Sequence, residues 1–162
     1  MKLAKEISLA TLQKKIRALQ KQGKKIVFTN GCFDLLHVGH VRYLSMARAL
    51  GDCLIVAVNS DASVRRLKGP TRPIVPHRER LEVLSALACI DYLILFSDNT
   101  PGRVIDTLIP DILVKGGDWS LNEIVGRETV ERQGGKVIRI KTVAGASTTN
   151  LIERILSRAG RG

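Results

Sequence analysis

Two histidines three residues apart, His37 and His40, close the string Thr29-Asn-Gly-Cys-Phe-Asp-Leu-Leu-His-Val-Gly-His40. On the first turn of a helix that spacing brings both imidazoles to one side. Gly39 between them adds no side chain to hold a ligand off the backbone. A first turn also leaves backbone N–H groups unpaired at the positive end of the helix dipole, so a phosphate fits beside the rings. A polar loop with two surface histidines is the plainer alternative. Zinc binding is a poorer one, because it needs three or four ligands and His77, Cys32, Cys53 and Cys89 are scattered singly.

A second anion cradle is offered by Gly145-Ala-Ser-Thr-Thr149, where hydroxyls and free N–H groups meet another helix start. Taken alone it also reads as an ordinary N-cap. Neither G-x-x-x-x-G-K-[ST] nor G-x-G-x-x-G occurs, so any phosphate must use these two helix ends. Further polar clusters are Asn59-Ser-Asp61, Lys115-Gly-Gly-Asp-Trp119, and a run from Arg65 to Pro73 with four cations and two prolines.

The elements around these clusters alternate. Lys25 to Thr29 reads as a short buried strand, Gly31 permits a turn, and Val41, Leu44, Ala47 and Leu50 continue a helix that Gly51 stops. Cys53 to Val58 is a continuous apolar run, as in a strand covered on both faces. Leu81, Leu84 and Leu87 have helical spacing, and Tyr92 to Phe96 is a third strand. A helix opens at Pro101 and ends before Pro110, Ile112 to Val114 is a fourth strand, and Ser120 with Glu123 has capping-box spacing for a helix to about Gln133. Val137 to Ile140 is a fifth strand, and a closing helix carries Leu151, Ile152, Ile155 and Leu156 inward. Strands alternating with helices require an α/β fold, an open parallel sheet of about five strands with helices on both faces and right-handed crossovers. In such a sheet all strand carboxyl ends share one edge, so the polar clusters meet there.

The 162 residues suit one domain, residues 1–162, with a basic N-terminal helix (about 8–22) before a core of about 25–157. Hydrophobic content of 44% and charged content of 25% are ordinary for a soluble globule. Three unframed cysteines suit a reducing compartment, hence the cytoplasm. No apolar run approaches the roughly 18 residues of a membrane helix, and the N-terminus lacks a signal-peptide core. The net charge of +11 is concentrated: residues 1–25 carry +7, on Lys2, Lys5, Lys14, Lys15, Arg17, Lys21, Lys24 and Lys25 against Glu6. A leading helix that buries Leu9, Leu12, Ile16 and Leu19 leaves those cations solvated. Few aromatic platforms and no basic recognition motif argue against nucleic acid as a partner. Anionic substrates account for the charge equally well.

The opening string resembles the signature of the HxGH nucleotidyltransferases. The HIGH element of class I aminoacyl-tRNA synthetases is related, but those chains are longer and carry a KMSKS loop that is absent here. Beyond that string the chain is similar to the sugar-phosphate adenylyltransferases typified by the transferase domain of the bifunctional heptose kinase/adenylyltransferase. It shares N-S-D at Asn59–Asp61, R-x-L-K-G-P at Arg65–Pro70, E-R at Glu79–Arg80, L-V-K-G-G-D-W at Leu113–Trp119, and G-x-S-T-T at Gly145–Thr149. The resemblance implies a Rossmann-like nucleotidylyltransferase fold. By the same resemblance, His37 and His40 contact the nucleotide phosphates and stabilise the pentavalent transition state. Lys68 and Arg80 neutralise the triphosphate, and Ser147 and Thr148 hold the β- and γ-phosphates. Thr29 and Phe33 line the pocket beside the α-phosphate, with Gly117 in the same nucleotide-binding set. Asp34, Asp61, Asp118 and Trp119 face the acceptor or shape its pocket, and Lys115 contacts either substrate.

The implied chemistry is in-line attack by a sugar 1-phosphate oxygen on the α-phosphorus of ATP, releasing pyrophosphate. The acceptor phosphate is largely ionised near neutral pH, its second pKa being about 6, so no catalytic base is needed. Mg²⁺ is expected, bound mainly through the nucleotide phosphates. The family acceptor is D-glycero-β-D-manno-heptose 1-phosphate, giving ADP-heptose for lipopolysaccharide inner-core synthesis in bacteria. With no sugar-kinase domain fused here, a stand-alone enzyme served by a separate kinase is expected, as a homo-oligomer, most simply a dimer. Glycerol-3-phosphate cytidylyltransferases are the alternative, but their R-T-x-G-I-S-T-T pattern has arginine where this chain has Thr142. A basic RNA-binding module is the non-enzymatic alternative.

Overall fold

The computed structural model describes residues 5–117, 120–141, 145 and 147–160. Five strands, β1 (Ile26–Gly31), β2 (Cys53–Asn59), β3 (Tyr92–Phe96), β4 (Ile112–Gly116) and β5 (Lys136–Ile140), form one parallel sheet in the order β3-β2-β1-β4-β5. All seven positions of β2 are buried, as a parallel strand covered on both faces requires. Alternation along the strands splits the core into two layers. Ile26, Phe28, Ile55 and Ala57 meet α1 (Leu9–Lys21) and α5 (Gly102–Leu108) through Leu12, Ile16, Val104 and Leu108. Val27, Leu54, Val56 and Val58 meet α2 (Val38–Arg48) and α4 (His77–Ser85) through Leu44, Ala47, Leu81 and Leu84. Burying such an aliphatic side chain contributes roughly 1.5–3 kcal/mol over leaving it exposed. The expected Rossmann-like sheet with helices on both faces is thus what the chain builds.

The amino edge of the sheet is pinned by three carboxylates. Asp52, Asp111 and Asp91 accept hydrogen bonds from the backbone N–H groups of Lys25 (2.8 Å), Ile26 (2.8 Å) and Leu54 (2.7 Å), donors that would otherwise be unpaired. At the carboxyl edge the chain has run outward from β1 to β3 and then returned to β4 on the far side of β1. Strand order therefore reverses between β1 and β4, where open α/β sheets leave a ligand crevice.

Two elements differ from what spacing predicts, and the cationic run, too rich in proline for a long helix, takes a form the spacing left open. The cationic run after Arg65 is helical in its first half, as the end of α3 (Asp61–Lys68), which Ser60 N-caps and Gly69 stops. The helix expected from Ser120 to Gln133 is instead a 3-10 turn at Leu121–Glu123 followed by α6 (Arg127–Arg132). Gly126 breaks it at φ 88°, and a Cβ there would sit 2.6 Å from the Ile105 side chain, so the chain passes α5 at a distance only glycine allows. Finally, α7 (Thr148–Ala159) buries none of its residues, and Ile155 and Leu156 are 55% and 66% exposed. The stripe Leu151, Ile152, Ile155 and Leu156 is real, but helical periodicity identifies an apolar face without saying what covers it. Among the described residues no helix is long and apolar enough to cross a membrane.

Candidate active site

β1 carries the chain to the crevice and Gly31 lets it turn. A Cβ on Gly31 would lie 3.0 Å from the Phe33 ring, so the bare glycine makes room for Phe33 to fold back, at φ 46°. Phe33 then meets the ring of His40 edge-on, 5.3 Å between centroids. His37 stands at the N-cap of α2 with no side-chain capping bond. Its ring stacks on His40 at 3.9 Å, 24° from parallel, so the two imidazoles share one side of the first turn.

Burial pulls the His37 imidazole below its ordinary value and His40 further, to about 4; the neighbouring His37 adds to the fall, and the Leu35 backbone opposes it only in part. Both rings are neutral at pH 7 in the unliganded protein. Nδ1 of each is buried without a hydrogen-bond partner among the described residues, and the Leu35 backbone does not reach His40 in hydrogen-bonding geometry.

Lys115, near the end of β4, is a half-buried cation at the crevice. Its Nζ donates to Asn30 Oδ1 at the end of β1, and burial lowers its pKa to about 8. Lys68 ends α3 in the open, close enough to Cys32 for its charge to oppose the rise that burial imposes on that thiol.

Other expected site residues do structural work. Arg80, expected at the triphosphate, is only 2% exposed. Its Nε donates to the Val75 carbonyl (2.9 Å), Nη1 to the Cys32 carbonyl, and Nη2 to Asp61 Oδ1 (2.7 Å). With each guanidinium nitrogen making one of these bonds, Arg80 ties the loop together in the unliganded protein. Asp61 also accepts from the His77 backbone N–H (2.8 Å) and pairs with the His77 ring (2.9 Å). Asp34 accepts from Arg72 Nε (2.5 Å) and from the N–H groups of Ile74 and Val75 (both 2.9 Å). Burial alone would raise the pKa of Asp34, but the Val75 and Ile74 donors and Arg72 together hold it below the usual carboxylate range. Burial would raise Asp61 too, and it is outweighed by His77 and Arg80. Both aspartates therefore anchor the segment between α3 and α4. The Thr29 side chain, expected beside the α-phosphate, is fully buried, its hydroxyl 2.7 Å from that of Tyr43 on α2.

At the second cradle, Ser147 N-caps α7 by accepting from the Asn150 N–H (3.0 Å), and Thr148 begins the helix. Gly117 follows β4 beside the end of β5, where its Cβ would meet the Ile140 carbonyl oxygen at 3.4 Å. Asp118 and Trp119 lie outside the described residues, as does Thr142. Asn30, Tyr43 and Arg72 are site-supporting residues that the sequence reading did not single out. Asn30 lies inside the HxGH string, Tyr43 one turn beyond His40, and Arg72 within the cationic run. Two surface cavities, about 660 Å³ around Asp106 and Arg127 and about 400 Å³ around Ile7 and Phe96, include none of the expected site residues.

A family profile described as cytidylyltransferase-like matches residues 28–154. The chain is 59% identical over 143 residues to the bifunctional protein HldE of Syntrophotalea carbinolica, a match covering 88% of this chain and 29% of that protein. It is likewise 59% identical over 150 residues to HldE of Citrifermentans bemidjiense, covering 93% of this chain and 31% of the relative. The chain thus spans less than a third of the length of these relatives. Among solved structures, the lipopolysaccharide core biosynthesis protein of Thermoplasma volcanium superposes with a TM-score of 0.61 at 31% identity, covering 75% of this chain and 98% of that one. The pantoate-β-alanine ligase of Francisella tularensis, at 13% identity and a TM-score of 0.58, shares the fold.

Proposed function

Because the chain belongs to the cytidylyltransferase-like family, we propose that it transfers AMP from ATP to D-glycero-β-D-manno-heptose 1-phosphate, giving ADP-heptose and pyrophosphate. The observation that carries this reading is the stacked pair His37 and His40 on the first turn of α2, beside the β1–β4 crevice that Lys115 lines. The long strings shared with sugar-phosphate adenylyltransferases, and the 59% identity to HldE proteins, favour the adenylyl and heptose side of the family. Thr142 in place of the cytidylyl arginine points the same way.

The chain's task is to bring two repelling anions into line and stabilise the charge that builds on the transferring phosphate. His37 and His40 donate from Nε2 to nucleotide phosphate oxygens, with the α2 N–H groups beneath them. Lys68 supplies mobile positive charge from α3, and Ser147 and Thr148 offer the second helix end. The Asp34 and Asp61 networks fix the loop after Lys68 that carries Arg72. A Mg²⁺ ion held by the nucleotide would supply further charge neutralisation. The fit is to an ion carried by the nucleotide, since Asp34 and Asp61 already have cationic partners. A soluble cytoplasmic enzyme acting as a homodimer, with ATP and the sugar phosphate as its partners, completes the reading, and the described cysteines are all free.

Pyrophosphate release measured for ATP or CTP against heptose 1-phosphate or glycerol 3-phosphate tests it. Turnover is expected only for ATP with the heptose. Preference for CTP with glycerol 3-phosphate overturns the substrate assignment, and salt-sensitive RNA binding with no turnover for any pair overturns the enzyme.

A further inference from the structure

The first turn of α2 carries both imidazoles but has little to hold it locally. Its N-cap, His37, makes no side-chain capping bond, and among the described residues Nδ1 of neither ring has a hydrogen-bond partner. Leu44 and Ala47, fully buried, press the helix onto the sheet. Apolar contact is non-directional, so it leaves the rotation and slide of the helix loosely set. Among the described residues, two side chains of α2 make hydrogen bonds or ion pairs beyond the helix. Arg48, at its last position, reaches the Gly51 carbonyl (2.6 Å) and Asp91 (3.0 Å) toward the amino edge of the sheet. Tyr43, three residues after His40, shares a hydrogen bond of 2.7 Å with the Thr29 hydroxyl.

Thr29 is fully buried and is the first residue of β1 beyond its ladder with β4, which ends where Phe28 pairs with Leu113. The bond therefore ties the helix of the histidines to β1 at the point where the crevice opens. Burial pushes the Tyr43 phenol up to about 12, against the opposing effect of Thr29, so the contact stays a neutral one throughout the range of an enzyme assay. A hydrogen bond between hydroxyls at that length is directional, and it supplies what the apolar contacts lack.

We propose that Tyr43 is a positioning residue, whose hydroxyl, bonded to Thr29, sets the rotation and height of α2 on β1 so that the stacked imidazoles of His37 and His40 stand at the crevice; this rests on the nucleotidyl-transfer reading above. Tyr43 touches no reacting group in this assignment. On a helix the interval from His40 to Tyr43 puts the two side chains on one face, so a rotation that displaces the phenol displaces the imidazole with it.

Two measurements test the proposal. The first is steady-state kinetics with urea denaturation for the wild type, Tyr43→Phe, Thr29→Val and the double variant. Tyr43→Phe should lower kcat by about tenfold or more, because reacting groups tolerate little displacement. Both KM values should stay within about threefold, as when an interaction made in the transition state is weakened. The double variant should be about as slow as the slower single one. Its urea midpoint should nevertheless return toward that of the wild type, because two apolar groups of like shape leave no buried hydroxyl unpaired. Unchanged kcat in Tyr43→Phe, a double variant that regains kcat along with its midpoint, or losses that multiply in the double variant would each overturn the assignment.

The second measurement needs no turnover. Two imidazoles 3.9 Å apart and 24° from parallel shield each other's ring protons, so in ring-labelled protein at pH 8 the His37 and His40 signals should lie upfield of a free imidazole. In Tyr43→Phe both should move back toward the free position, with the circular dichroism spectrum unchanged. Signals that stay in place in Tyr43→Phe refute the positioning role. Their movement, with no pyrophosphate release by the wild type for any nucleotide and acceptor, would instead refute the functional reading and leave the positioning role standing.

Discussion

Arg80 and Asp61 form an ion pair, Nη2 to Oδ1 at 2.7 Å, in which the arginine side chain has no exposed surface and the aspartate is 22% exposed. The pair links the start of α3 to that of α4 and, through the Cys32 carbonyl, to the loop bearing the histidines.

Removing Arg80 leaves two carbonyls without their donor and the Asp61 charge with only His77 beside it. Arg80→Met is expected to destabilise the fold by about 3–5 kcal/mol, the range for losing one partner of a buried pair. Urea denaturation at pH 7 reads this directly. A loss below about 1 kcal/mol would show that the guanidinium is not structural and would return it to the phosphates. Asp61→Asn in the Arg80→Met background should recover part of the loss, since the unpaired carboxylate is then gone.

The histidines answer to activity rather than stability. His37→Ala or His40→Ala should lower kcat by about a hundredfold or more, the scale for losing a transition-state donor, with the circular dichroism spectrum and cooperative unfolding retained. Wild-type turnover in either variant removes that imidazole from the mechanism.

Acid should weaken the unliganded protein in a window set by these rings. An unfolded imidazole takes up a proton near pH 6.5, but the folded His40 does so only near 4, and His37 also lies below the ordinary value. Between those limits the unfolded chain binds more protons, so stability is full above about pH 6.5 and declines as pH falls toward 4. His40→Gln should flatten that decline, measured as Tm against pH. Asp34 and Asp61, held below the usual carboxylate range, add a separate loss only at lower pH. A Tm unchanged from pH 7 to 4.5 in the wild type contradicts the buried neutral pair.

What was legible in the sequence was periodic or strung together. The strand spacing yielded the parallel sheet, and the string ending in His40 placed both imidazoles. The Arg80 network was not legible because an E-R dipeptide at a helix start looks the same whether its arginine faces solvent, a phosphate or an aspartate. Only the loop returning through Cys32 and Val75 decides that. The Thr29 hydroxyl pairs with Tyr43, a partner 14 residues on that no local pattern announces. The α7 stripe was visible, but its cover was not. Asn30 was hidden because its meaning depends on which strand lies beside β1, a fact of topology and not of spacing.

Gly31 offers the sharpest separation of fold from function. A methyl group there would approach Phe33 Cε2 to 3.0 Å, and Phe33 cannot give way without disturbing the edge contact that backs His40 at 5.3 Å. The clash is with a ring rather than with backbone, so Gly31→Ala should cost the fold only about 1 kcal/mol, the low end for overpacking. Turnover should suffer more, by about tenfold, because reacting groups tolerate little displacement. Phe33→Leu in the same chain relieves the clash without restoring the ring behind His40. The double variant is therefore expected to recover stability and to stay slow, by denaturation and steady-state kinetics on one preparation. If it regains both, the phenylalanine serves packing alone and the support of His40 must come from α2 itself.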